Sequence, residues 1–119
     1  MAKFDLTPIT TIDGFVAAAL VDSDSGLMMA GSSGTNVNLE VAAAGNSEVI
    51  KAKRRVASAL KLNDEIEDIL ITLGKQYHII RPLERNPKLF LYVVLDRGRA
   101  NLAMARHELK SFEQQLSFA

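Results

Sequence analysis

The run Asp22-Ser23-Asp24-Ser25-Gly26 begins like a calcium-binding loop, with alternating carboxylates. Such a loop closes on a bidentate glutamate, and Ser33 stands where that residue is needed, so the run reads as a plain turn. Gly31-Ser32-Ser33-Gly34-Thr35 lies between an apolar run and a helical pattern, a place where bare backbone amides can hold a phosphate. It lacks the Gly-Lys-Ser/Thr ending of a nucleotide-binding loop and reads as a connection. His78 and His107 have no third metal ligand or orienting carboxylate at motif spacing. No Gly-x-Ser-x-Gly elbow activates any serine. Arg54, Arg55, Arg81, Arg97, Arg99 and Arg106 could each suggest an arginine finger, but a solvated face or a carboxylate pair is the plainer use of every one. No catalytic residue, cofactor site or metal ligand emerges, and the chain is not expected to be an enzyme.

Composition narrows the classes further. Lys plus Arg and Asp plus Glu both total 14 in 119 residues, so there is no basic field of the kind nucleic-acid binding uses. With no cysteine, a disulfide framework and a thiolate metal site are both excluded. No signal peptide and no membrane-length apolar run are present, so a cytoplasmic protein without membrane insertion is expected. One domain over 1–119 suits this length, with residues 1–12 as a short N-terminal arm.

The elements follow from periodicity. Phe15 to Val21 and Leu27 to Ala30 flank the turn formers and predict a hairpin. Asn36 or Asn38 can cap a helix from Asn38 to Lys61, which Asn63-Asp64 breaks. Ile66 to Leu73, Tyr77 to Leu83 and Leu89 to Leu95 are strand-like, and their short connections demand antiparallel neighbours. A last helix runs from Gly98 to Ser117. Strands apolar on both sides need both sheet faces covered, which predicts an α+β sandwich: five antiparallel strands, the long helix on one face and the C-terminal helix on the other.

The two helices differ in a telling way. In the C-terminal one, Leu102, Ala105, Leu109, Phe112 and Leu116 fill a single arc of about 100°, enough for one sheet. The long helix spreads small and apolar residues over roughly 200°, enough for two neighbours. One stripe is Val41, Gly45, Val49, Ala52, Val56 and Ala59; another is Leu39, Ala43, Ile50 and Ala57. The spare surface points to another subunit. Asn46 and Lys53 lie in the second stripe, and polar residues are easier to seat at a subunit boundary than beneath a sheet. The seam is therefore expected through Leu39, Ala43, Asn46, Ile50, Lys53 and Ala57, together with the strand edge carrying Ile66, Asp68, Leu70 and Thr72. The cationic residues Lys51, Arg54 and Arg55, on the polar face of that helix, are the candidate contacts for an acidic partner.

The whole arrangement resembles the Roadblock/dynein light chain family, with a profilin-like fold. The residues that carry the resemblance are Gly14-Phe15-Val16-Ala17-Ala18-Ala19-Leu20-Val21-Asp22 with Gly26-Leu27, the small-residue helix from Leu39, Tyr77-His78-Ile79-Ile80-Arg81-Pro82-Leu83, and Asp96-Arg97 leading to Asn101-Leu102. The resemblance implies a homodimer or heterodimer with paired helices and one continuous sheet, no catalytic centre, and a small Ras-like GTPase as partner to be regulated or scaffolded. A dynein-light-chain-like adaptor or pure scaffold, or a small-molecule sensor domain, is the alternative. The chain departs from the family in Lys3 to Ile12, where Pro8 and Ile9-Thr10-Thr11-Ile12 replace a clear first helix. One sheet face is accordingly expected to be less covered.

Overall fold

A computed structural model of the chain describes residues 4–33 and 37–116. Five antiparallel strands form one sheet: β1 (Phe15–Asp22), β2 (Met28–Ser33), β3 (Ile69–Thr72), β4 (Gln76–Pro82) and β5 (Leu89–Asp96), in the order β2-β1-β5-β4-β3. The helix α1 (Leu39–Ala59) lies between β2 and β3 in sequence, and α2 (Leu102–Gln115) closes the chain. The expected sandwich is the observed one. Gly14 makes the entry to β1 possible: its φ is +82°, and a Cβ there would stand 2.9 Å from the Asp96 carbonyl oxygen.

Period-two alternation sorts the strands into two apolar layers. Ala17, Ala19, Val21, Ile80, Phe90, Tyr92 and Val94 face α1, whose Leu39, Ala43 and Ile50 pack onto them. Ala18, Leu20, Ile79, Leu91, Val93 and Leu95 face Ala105, Leu109 and Phe112 of α2. The second face is not bare. Thr7–Thr11 forms a 3-10 turn with Pro8 in its first positions, and Phe4, Leu6, Ile9 and Ile12 are buried in the α2 layer. This corrects the expectation of a thinly covered face: Pro8 and the β-branched run forbid a long helix yet still deliver apolar side chains to the core. The phosphate-loop segment beyond Ser33 lies outside the described residues.

Asn38 caps α1, its Oδ1 accepting the Val41 N–H at 3.1 Å. At the far end the Leu62 N–H bonds the Ala57 carbonyl and the Lys61 N–H that of Ser58, with Lys61 left-handed at φ 56°. This is a Schellman stop in which lysine occupies the position glycine favours. An ion network, buried at Arg81 and Glu113 and open to solvent at Arg106, joins α2 to the sheet side. Arg81 of β4 donates through Nε and Nη2 to Glu113 Oε1 at 3.1 and 2.9 Å, and Arg106 grips Asp68 at 3.0 and 3.1 Å. The Asp68 carboxylate, chiefly, and Glu67 more weakly hold Arg106 protonated. Among the described residues no helix is long and apolar enough to cross a membrane.

Candidate interaction surface

The chain's unsatisfied surface begins on α1. Val41, Val49 and Val56 remain 67%, 40% and 46% exposed, and Leu60 and Leu62 extend the same apolar character past the helix end. With Gly45 and Ala52 between them, these residues make a smooth stripe of small and branched side chains. The helix comes nearest to β1 and β2, and its cover thins toward the β3 edge: Ile80 of β4 is fully buried beneath it, while β3 is only half-covered. Half-buried Ile69, Ile71 and His78 line this thinner side. β3 is also an edge strand, and among the described residues no strand pairs its outer row of backbone donors and acceptors.

A chain of side-chain hydrogen bonds crosses from α1 toward this side. The Asn46 amide donates to the Ala42 carbonyl at 2.8 Å, and the Asn46 side chain also bonds the Tyr92 hydroxyl. That hydroxyl meets His78 Nδ1 at 3.1 Å, and His78 Nε2 meets Gln76 Oε1 at 3.0 Å. A neutral ring with its proton on Nε2 satisfies both contacts, accepting from Tyr92 and donating to Gln76. Burial lowers the His78 pKa and raises that of Tyr92, so both are held neutral by the same desolvation.

The structure corrects the orientation expected for the long helix. Leu39, Ala43 and Ile50 do not lie at a free seam: they are buried beneath their own sheet, Ile50 with 0% exposure. Ala57 is half-buried beside them and Lys53 is exposed at the margin. The expectation rested on Asn46 being unable to sit under a sheet, and the carbonyl of Ala42 and the hydroxyl of Tyr92 supply the partners it needs. Ser47 is accommodated likewise, donating to the Ala43 carbonyl at 2.8 Å.

The strand residues are also redistributed. Ile66 precedes β3 and packs at the margin of the α1 layer, Asp68 is engaged by Arg106, and Leu70 turns its side chain into the α2 layer. Thr72 is exposed at the end of β3. Arg54 is an internal tie, its Nη2 donating to the Pro87 carbonyl at 2.7 Å and its Nη1 reaching Ser23 Oγ at 3.4 Å. Lys51 pairs with Glu48 at 2.9 Å on the surface, and Arg55 is exposed. Arg81 and Arg106 take the carboxylate-paired use foreseen for the arginines. The His78–Tyr92 contact escaped sequence reading, although alternation from Ile80 back to His78 places that ring on the α1 face.

Beyond the C-terminal end of α1 lies an open cleft of about 1060 Å³, bordered by Arg54, Lys61, Ile66, Glu84, Pro87 and Lys110. Its charges are of both signs. Among the described residues no group of three or more His, Cys, Asp or Glu side chains could hold a metal.

No protein-family model matches the chain, and no curated protein matches it. Solved structures do. The Roadblock/LC7 domain from Streptomyces avermitilis superposes with a TM-score of 0.78 at 14% identity, over 91% of this chain and 87% of that one. Myxococcus xanthus MglB gives 0.79 at 16% identity, over 91% and 85%. The gliding protein MglB from Thermus thermophilus gives 0.70 at 16% identity, over 92% and 86%. At such identities the likeness establishes architecture, and by that architecture the chain has a Roadblock fold.

Proposed function

We propose that the chain is a homodimeric, non-enzymatic, cytosolic interaction module that regulates or scaffolds a small Ras-like GTPase. The observation that carries the first half is the exposed Val41–Val56 stripe of α1 together with the half-covered β3 side of the same sheet face. A two-fold axis perpendicular to the sheet at the β3 edge would keep both α1 helices on one face, where stripe can meet stripe while the edges pair. The GTPase half rests on the family resemblance, which implies such a partner, and is supported by the architecture shared with the Roadblock-type proteins MglB and MglC. Arg55, with Lys51, is the cationic contact available to an acidic partner; Arg54 is committed to the fold.

Binding of a panel of small GTPases, loaded with either nucleotide, to immobilised dimer tests the reading. At least one GTPase is expected to bind the wild type and to lose binding when Val49→Asp splits the dimer. Absence of binding across the panel would remove the GTPase assignment.

A further inference from the structure

Two features of the β3 edge specify which partner strand fits it. The first is parity. The Leu73 N–H bonds the Gln76 carbonyl at 2.9 Å across the Gly74-Lys75 turn. In an antiparallel ladder inward and outward bonding alternate, so Leu73, Ile71 and Ile69 bond toward β4 while Leu70 and Thr72 direct their N–H and C=O groups outward. The second is charge. Exposed Asp64, Glu65 and Glu67 precede β3, whereas exposed Lys75 and Arg97 follow it. Arg97 is held at that end: its Nη1 donates to the Leu73 carbonyl at 2.9 Å, its N–H bonds the Lys75 carbonyl, and its guanidinium lies over Tyr77 at 5.4 Å. The edge is therefore acidic where it starts and basic where it ends.

We infer that this polarity fixes the register of self-pairing: β3 meets β3 of a second copy antiparallel, with Ile71 on the two-fold axis and Glu67 of each copy opposite Lys75 of the other. The inference rests on the homodimer reading and deepens it. In this register Leu70 and Thr72 of the two copies face each other and satisfy one another's outward backbone groups. Ile71 packs on its own copy, and Ile69 covers exposed Leu73. A slip of one residue sets outward-bonding against inward-bonding positions and inverts the faces. A slip of two toward the turn puts Lys75 against Ile69 and leaves the acidic run unpaired; a slip of two the other way keeps Lys75 opposite an acid, Glu65, but sets the Glu67 carboxylate against exposed Leu73 and removes the cover of that leucine. Exposed pairs add little affinity, but like charges placed opposite each other penalise a wrong pairing, so the charges select partner and register.

A charge swap tests this without removing any core group. Glu67→Lys sets lysine against lysine twice in its homodimer, and Lys75→Glu sets glutamate against glutamate twice. Mixed, the two variants form a heterodimer complementary at both contacts. Each variant homodimer should dissociate about fivefold more readily than wild type, a size set by two weak exposed contacts, and the gap should narrow at high salt. Native mass spectrometry of an equimolar mixture of differently tagged chains should show heterodimer well above the random half. A dimeric wild type whose variants mix at random, or whose variant homodimers are as tight as wild type, overturns the register. A monomeric wild type overturns the dimer reading and the register together.

Discussion

Val49 and Ile50 are neighbours in sequence with opposite prospects on α1. Ile50 is fully buried in the apolar layer that includes Val21, Phe90 and Val94, so Ile50→Asp should leave the monomer unfolded at neutral pH by circular dichroism. Val49 is 40% exposed, so Val49→Asp should fold and yet lose the dimer by size-exclusion chromatography. His78 gives a pH prediction with a defined sign. Its folded pKa is depressed by burial, so below the ordinary value near 6.5 the unfolded chain binds more protons than the folded one. Stability should fall as pH drops from 6.5 toward the folded pKa. In urea titrations at pH 7.5 and 5.5, His78→Gln should lose less stability than wild type.

At the scale of elements, the joint between α2 and the sheet depends on Arg81 and Glu113, both about 95% buried. Glu113→Ala leaves the buried Arg81 guanidinium with only the more distant Asp68 carboxylate, at 4.0 Å, and should cost about 3 kcal/mol in urea unfolding, whereas Arg81→Met with Glu113→Leu should cost much less. Lys61→Gly at the left-handed stop of α1 should raise stability by about 0.5–1 kcal/mol. Element identity was legible because alternation in β1 and β5 and helical spacing in α1 and α2 are strong signals. The strand expected from Ile66 shortened to Ile69–Thr72 because Asp68 answers to two guanidiniums across the fold, which no local pattern reveals. The helix was legible as two-sided, but its rotation was not. That depended on Asn46 finding Tyr92, a residue three strands further along the chain, and two apolar stripes of similar breadth gave periodicity nothing to choose between.

For the whole molecule, the sheet order puts β3 at one edge, and exposed Leu73 with half-buried Ile69 and Ile71 leaves apolar surface there, as the valine stripe does on α1. Both features call for the same partner at the same place. Little of the GTPase assignment is legible in side-chain chemistry, because a docking surface has no invariant geometry comparable with a catalytic triad and the acidic and basic residues of the chain balance. What self-association would provide is a composite surface that a single chain lacks. The most direct measurement is therefore the solution mass of the wild-type chain by multi-angle light scattering at micromolar concentration, run beside Val49→Asp. Twice the chain mass for the wild type and a single chain mass for a folded Val49→Asp is the expected result; a wild-type chain that stays monomeric would contradict the account.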